Sequence, residues 1–86
     1  MTVTPSRLTL YSRPGCHLCD EMKHVIDEVG VRVPLVLEVV DISTDPDLIA
    51  LYGLEIPVLL IEGKKAGKHR ITARELEEKL ARSRAG

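Results

Sequence analysis

The stretch Arg13-Pro14-Gly15-Cys16-His17-Leu18-Cys19 decides the fold, and it holds both cysteines of the chain, three positions apart. An alternating apolar run comes directly before it, and an amphipathic helical pattern comes directly after it. Strands repeat every two residues and helices about every 3.6, so this change of period predicts that both sulfurs lie where a strand leads into a helix. A thiol at such a place is a candidate for chemistry, because the start of a helix stabilises a thiolate.

The first half of the chain predicts a strand, a helix and a second strand. Leu8 and Leu10 alternate with polar residues in a short strand. Residues 33–40 are almost continuously apolar and rich in β-branched side chains, which predicts a buried strand parallel to the first. The helix between them is about three turns long and ends at Gly30, and its apolar face is formed by Leu18, Met22, Val25, Ile26 and Val29.

The second half predicts a short helix, a hairpin and a last helix. Thr72-Ala73-Arg74-Glu75 has the spacing of a capping box and opens the last helix. A buried strand over residues 56–61, a turn at Gly63 and a polar strand predict an antiparallel hairpin. Ser43-Thr44-Asp45-Pro46 opens the short helix, whose predicted inner face is Leu48, Ile49, Leu51 and Tyr52.

The predicted element order is β-α-β-α-β-β-α in a single domain that spans residues 1–86. A chain this short builds one core, and apolar positions on both faces of the central strands require helices on both sides. We therefore predict an α/β protein with a mixed four-stranded sheet and helices on both of its faces. Residues 1–6 and 82–86 lack a periodic pattern and are expected to be frayed termini.

Composition and charge argue against nucleic-acid and membrane partners. The net charge is −1 with both signs interleaved, and Tyr11 and Tyr52 are the only aromatic side chains other than histidine. No apolar run approaches the roughly 20 residues that span a bilayer, and the first residues do not resemble a secretory signal. We therefore expect a cytoplasmic monomer that binds neither nucleic acid nor membrane.

The spacing of the two cysteines favours chemistry over a structural role. Cysteines in an unexported protein are mostly reduced, so a Cys-x-x-Cys pair there is more often catalytic or metal-binding. A disulfide that closes so short a loop would also constrain the unfolded chain very little.

The chain resembles glutaredoxins and the wider thioredoxin superfamily in two motifs. The first is Tyr11-Ser12-Arg13-Pro14-Gly15-Cys16-His17-Leu18-Cys19, and the second is Ile56-Pro57-Val58-Leu59-Leu60-Ile61, which Gly63 and Gly67 follow. The resemblance runs from Leu8 to Leu80, and the chain is most similar to the small, diverged bacterial glutaredoxin-like branch. It implies a thioredoxin-like fold and a thiol–disulfide oxidoreductase that reduces or exchanges disulfides of protein or small-molecule substrates.

The chain departs from glutaredoxins at positions that the family uses around glutathione. His17-Leu18 stands between the cysteines, where the family usually has Pro-Tyr. Lys68 stands where the family has a second glycine, and Ile71 or Thr72 stands where it has an aspartate. We expect no bound cofactor, and the thiol reductant is expected to be thioredoxin reductase or glutathione.

Cys16 and Cys19 receive distinct predicted roles. Cys16, at or just before the first helical turn, is the attacking thiol, because a helix start lowers the thiol pKa. Cys19, one turn further, resolves the mixed disulfide by closing on Cys16. A protonated His17 would tune the Cys16 pKa further, although the ring is equally well explained as an exposed polar residue. Arg13 is either a contact for a substrate carboxylate or a solvated loop charge.

Pro57 is predicted to form the side of the site that faces the cysteines. The resemblance implies that the Ile56–Pro57 peptide is cis and faces the cysteines, whereas the sequence alone favours trans. The backbone of Ile56 would then pair with an extended substrate in the manner of an added strand. Tyr11 either lines the same groove or packs.

A second hypothesis is a metal or iron–sulfur module. The centre would be held by Cys16 and Cys19 with His17 or with a second chain. Two thiolates in one chain are short of the four ligands of a closed site, so dimerisation or an external thiol would be required. We therefore predict no metal site within a single chain. A binding domain that kept the fold without catalysis is a third hypothesis, against which the two intact cysteines argue.

Overall fold

The computed structural model of the chain describes residues 4–85, and of residues 84 and 85 the backbone alone. The order of its elements is the predicted one. They are β1 (Ser6–Ser12), α1 (His17–Gly30), β2 (Leu35–Asp41), α2 (Pro46–Tyr52), β3 (Val58–Ile61), β4 (Lys64–Lys68) and α3 (Ala73–Ala85).

The four strands form one mixed sheet in the order β2-β1-β3-β4. Strand β1 pairs in parallel with β2 and antiparallel with β3, and β3 pairs antiparallel with β4. The parallel pair requires a crossover connection, which α1 supplies. The predicted α/β class and mixed four-stranded sheet are confirmed.

The core lies on one face of the sheet, under α1 and α3. Leu8 and Leu10 of β1 and Leu59 of β3 point to this face, and each is at most 1% exposed. Leu76 and Leu80 of α3 are equally buried. The other buried members of this cluster are Met22, Ile26, Val29, Ile61 and Ile71.

Helix α2 lies on the opposite face, where it covers the carboxyl end of β1. Tyr11 alternates with Leu10 and so points away from the core, and its ring stacks on Tyr52 with centroids 4.6 Å apart and planes 15° apart. The predicted inner face of α2 is wrong in part, because Ile49 and Leu51 are 46% and 63% exposed. A helix of seven residues makes just under two turns, so its inner face holds only Leu48 and Tyr52, four positions apart.

Strand β2 differs from the prediction of a buried strand. It occupies the edge of the sheet, and Val36 and Val39 are 55% and 47% exposed. Continuous apolarity predicts burial on both faces only for a central strand, and strand order is a tertiary property.

The expected frayed termini are shorter than predicted. Ser6 begins β1, is buried, and donates its N–H to the Pro34 carbonyl oxygen at 3.2 Å. Helix α3 continues through Ala85, so residues 82–85 are helical. Residues 4 and 5 have no regular secondary structure, and the rest of the prediction concerns residues 1–3 and 86, which lie outside the described residues.

The β3–β4 hairpin has two features that place side chains near the site. Glu62 and Gly63 form its two-residue turn with φ values of 51° and 80°, the backbone that favours glycine in a tight hairpin. A bulge interrupts the ladder between Leu59 and Leu60 and adds one residue to β4. Two residues of β4 that are three positions apart, Lys65 and Lys68, consequently share one face of the sheet.

Candidate active site

Cys16 is the N-cap residue of α1. Strand β1 ends at Ser12, and the chain turns through Gly15, whose φ of 78° suits glycine, before it reaches Cys16. Cys16 has the extended backbone of a cap residue, and its Sγ accepts a hydrogen bond from the Cys19 backbone N–H at 3.1 Å. A negative charge on this sulfur would be stabilised by the same N–H and by the helix dipole.

The two cysteines form a disulfide, with their Cα atoms 5.2 Å apart. Cys19 points into the protein and is 4% exposed, whereas Cys16 is half-buried. A thiol that arrives from solvent therefore has better access to Cys16. This asymmetry fits an exchange site in which Cys16 meets the substrate and Cys19 acts from inside.

Pro57 enters the sheet at the same end as the cysteines. The last residue pair of the β1–β3 ladder is Tyr11 with Val58. Pro57 comes directly before Val58, so it lies at the end of the sheet where β1 leads towards Cys16. The Ile56–Pro57 peptide is cis, which confirms the geometry implied by the resemblance, and Pro57 itself is buried. The Pro57 carbonyl oxygen accepts a hydrogen bond from the His69 N–H at 2.8 Å.

The structure limits the predicted backbone pairing between Ile56 and an extended substrate, because the Ile56 N–H is already used as a donor. The Ile56 N–H already donates to the Tyr52 carbonyl oxygen at 3.0 Å. A substrate strand could use the Ile56 carbonyl oxygen as an acceptor without breaking that bond. The contact between Ile56 and a substrate stays a prediction, now limited to a hydrogen bond that the Ile56 carbonyl oxygen accepts.

Tyr11, His17 and Arg13 have different surroundings. Tyr11 packs against Tyr52, and a role in a substrate groove stays a prediction. The His17 side chain is 89% exposed, and its Nε2 lies 4.0 Å from the Glu21 carboxylate, one turn along α1. Arg13 is exposed in the turn before Cys16. The roles proposed for His17 and Arg13 in tuning and substrate binding are also still predictions.

A groove next to the cysteines runs between α1 and the start of α3. Its volume is about 280 Å³, and Leu18, Arg70, Thr72 and Glu75 are among the residues that line it. The capping box predicted at this point is present: Glu75 N–H donates to Thr72 Oγ1 at 3.1 Å. The Thr72 hydroxyl in turn donates to Glu75 Oε1 at 3.1 Å, so the side chains of Thr72 and Glu75 together cap the start of α3.

Glu55, two residues before Pro57, makes contacts that the sequence analysis did not predict. Its carboxylate accepts a hydrogen bond from Lys65 and lies 3.9 Å from Lys68 Nζ. The Lys65 bond lowers the pKa of Glu55 below its ordinary value, and the charges of Lys65, Lys68 and His69 act in the same direction. The sequence signal was an acid beside the predicted wall, but the β4 bulge that brings both lysines to it has no sequence signature.

Two further observations concern the metal-site hypothesis and membrane-spanning helices. Within the described part of the chain, no group of three or more His, Cys, Asp or Glu side chains is placed to hold a metal ion. Among residues 4–85, every helix is too short or too polar to cross a bilayer.

A Cys-x-x-Cys pair at the start of the first helix and a cis-proline before the third strand define a protein of the thioredoxin fold. Thioredoxin 1 from Thermosipho africanus has this fold, with a TM-score of 0.58 over 91% of this chain and 98% of that chain, at 16% sequence identity. The sequence model of the Glutaredoxin-like domain (DUF836) matches residues 7–81, and the chain therefore belongs to that family.

Two solved structures are more similar in sequence. Protein Ne2328 from Nitrosomonas europaea is 30% identical, with a TM-score of 0.80 over 92% of this chain and 95% of that chain. A structural-genomics target protein from X. campestris is 31% identical, with a TM-score of 0.76 over 87% of this chain and 96% of that chain. Both matches cover nearly the whole of each chain, as a single shared domain requires.

Proposed function

We propose that the protein is a dithiol–disulfide oxidoreductase that cycles Cys16 and Cys19 between dithiol and disulfide. The observation that carries this proposal is the Cys16–Cys19 disulfide at the start of α1, with Cys19 buried and Cys16 more accessible. Membership of a glutaredoxin-like family supports a redox role for the pair.

The reaction exchanges one disulfide for another. The Cys16 thiolate attacks a substrate disulfide, forms a mixed disulfide with one substrate sulfur, and expels the other as a thiolate. The Cys19 thiolate then attacks the Cys16 sulfur, which closes the Cys16–Cys19 disulfide and releases the second substrate thiolate. Two electrons pass from the protein to the substrate, and an external thiol reductant returns them by the reverse steps.

The substrate is proposed to be a disulfide of a protein or a small molecule, and the reductant to be thioredoxin reductase or glutathione. The groove beside Leu18 is lined by charges of both signs, Arg70 and Glu75 among them, so its charge does not by itself favour or oppose glutathione. Glutathione is expected to be the poorer reductant of the two, because Lys68 and Ile71 or Thr72 stand where glutaredoxins have a glycine and an aspartate for glutathione.

We further propose that the protein acts as a cytoplasmic monomer without a cofactor and without nucleic-acid or membrane partners. One exchange site per chain is sufficient for the reaction, because both thiols belong to the same helix start.

The test compares wild type, Cys16→Ser and Cys19→Ser in the reduction of a disulfide peptide. We expect Cys16→Ser to lose turnover, because the remaining thiol, Cys19, is only 4% exposed and a substrate disulfide has poor access to it. We expect Cys19→Ser to accumulate a mixed disulfide that mass spectrometry detects as a peptide adduct on Cys16. Parallel assays with thioredoxin reductase and with glutathione rank the two reductants.

Full activity in Cys16→Ser would contradict the assignment of the attacking thiol. Metal bound at one equivalent per dimer, with loss of binding in both cysteine variants, would instead support the metal or iron–sulfur hypothesis. Size-exclusion chromatography of the same samples checks the monomer.

A further inference from the structure

The segment between α2 and Pro57 is tied to β4 by an acid that the exchange chemistry does not use. We propose that Glu55 is a positioning residue of the exchange site, which fixes Ile56 and Pro57 relative to the cysteines through ion pairs with Lys65 and Lys68. This inference rests on the proposed function, and it assigns Glu55 to substrate placement rather than to a reacting atom.

Backbone hydrogen bonds hold this segment at its two ends. The Tyr52 carbonyl oxygen accepts from the Glu55 N–H at 2.8 Å and from the Ile56 N–H at 3.0 Å, which fastens the start of the segment to α2. The Pro57 carbonyl oxygen accepts from the His69 N–H at 2.8 Å, just beyond the end of β4. Glu55 adds a side-chain link to β4 between these two anchors.

The bulge in β4 creates the place where the Glu55 carboxylate binds. Lys65 lies opposite Leu60 and Lys68 lies opposite Val58, and both of these β3 residues point to the α2 face. In a regular strand, residues three positions apart would point to opposite faces. Because the bulge adds one residue between them, both lysines point to the face from which Glu55 approaches.

The three charges are close enough to form a network. The Glu55 side chain is 30% exposed, and those of Lys65 and Lys68 are 47% and 54% exposed. One carboxylate that holds two ammonium groups loses less side-chain freedom for each contact than two separate surface pairs would. The Glu55 carboxylate is charged at neutral pH, because its pKa lies below an ordinary value that is itself well under 7.

Placement of the Ile56 carbonyl and the Pro57 ring affects substrate binding more than the chemical step. The contact between an extended substrate and the Ile56 carbonyl oxygen is made both in the bound complex and in the transition state, so its loss removes uniform binding. The Glu55 carboxylate bonds to the lysines and not to either cysteine, so its loss should leave the intrinsic properties of the disulfide unchanged. A loosened segment would therefore raise KM while kcat and the redox potential stay constant.

The experiment measures steady-state reduction of an uncharged disulfide peptide by Glu55→Gln and by a matched control, Glu77→Gln. The control breaks the ion pair between Glu77 and Arg32, which joins α3 to the chain after α1. We expect Glu55→Gln to raise KM by about 2- to 5-fold, the size of effect that loss of a partly exposed ion pair produces. We expect Glu77→Gln to leave KM unchanged, and both variants to keep the wild-type kcat and Cys16–Cys19 redox potential.

A second pair of variants removes the partner instead of the acid. Lys65→Met should raise KM as Glu55→Gln does, whereas Lys64→Met should not, because Lys64 lies opposite Ile61 on the other face. Lys65→Met keeps the inference testable if Glu55→Gln fails to fold.

The outcomes separate the two proposals. An inactive wild type, or full activity in Cys16→Ser, contradicts the proposed function whatever the Glu55 variants do. An active wild type with an unchanged KM in Lys65→Met, or an equal rise in Lys64→Met, overturns the role of Glu55 alone. A shift in redox potential in Glu55→Gln would overturn it as well, because the residue would then act on the disulfide itself.

Discussion

At the scale of single residues, the site depends on which backbone groups and side chains are already hydrogen-bonded within the protein. The Cys16 sulfur accepts the Cys19 N–H, and the Ile56 N–H is bonded to Tyr52. The Glu55 carboxylate is bonded to Lys65. On the proposed function, a substrate meets the Cys16 sulfur and the Ile56 carbonyl oxygen, and backbone hydrogen bonds to neighbouring residues hold both residues in place.

Glu55 provides a prediction about ionisation. Its pKa lies below the ordinary value chiefly because Lys65 donates a hydrogen bond to the charged form. We expect Lys65→Met to raise the Glu55 pKa towards the ordinary value, which a carbon-13 NMR titration of the glutamate carboxyl groups measures. Lys64→Met is the control and should leave it unchanged.

The same pair should contribute to stability with a defined pH dependence. A carboxyl pKa that is lower in the folded state stabilises the fold above the unfolded pKa, and this contribution disappears as pH falls through the folded pKa. The difference in urea midpoint between wild type and Lys65→Met should therefore be present at neutral pH and vanish in acid. A difference that persists undiminished in acid would mean that the lysine stabilises the fold by packing.

At the scale of elements, local signals in the sequence correspond to real ends of helices. Asp45 caps α2 with its carboxylate on the N–H groups of Asp47 and Leu48, and Thr72 caps α3. These bonds form between residues two or three positions apart, so they do not depend on how the sheet is arranged. The inner face of α2 does depend on it, and that prediction failed for Ile49 and Leu51.

The cap of α3 supports a prediction about stability. Thr72→Ala removes the hydroxyl that accepts the Glu75 N–H and binds its carboxylate, and we expect a loss of about 1 kcal/mol in the free energy of unfolding. Urea unfolding of the oxidised protein measures it. Thr44→Ala, in the exposed turn before α2, is the matched control and should change stability by less than about 0.5 kcal/mol. Equal losses of stability in both variants would show that the cap is not the cause of the loss in Thr72→Ala.

At the scale of the whole molecule, the two faces of the sheet are unequally covered. Helices α1 and α3 enclose the main core, whereas α2 covers the other face only near Tyr11. Val36, at the edge of the less covered face, is 55% exposed although it belongs to a strongly apolar strand. The stability of the fold is therefore expected to depend mainly on the α1–α3 side.

Two leucines test this asymmetry. Leu76→Ala leaves a cavity in the main core, where Leu76 is 0% exposed, and we expect it to lower the free energy of unfolding by about 2–5 kcal/mol. Leu51→Ala removes the same atoms from a side chain that is 63% exposed, and we expect a change within about 0.5 kcal/mol. Urea unfolding compares the two, and a large loss in Leu51→Ala would show that α2 buries more in solution than its packing indicates.

The sequence by itself determined what depends on near neighbours. The order of the elements, the caps of the helices and the position of Cys16 at a helix start follow from spacings of a few residues. The cis geometry before Pro57 was obtained only through the resemblance to a family, because the sequence alone favours trans.

Only the tertiary structure decided what depends on strand order and register. It placed β2 at the edge of the sheet, so Val36 and Val39 are about half exposed, and it opened the bulge that brings Lys65 and Lys68 to Glu55. The physical reason is that burial and pairing in a sheet are set by which strands lie side by side, and those neighbours are distant along the chain.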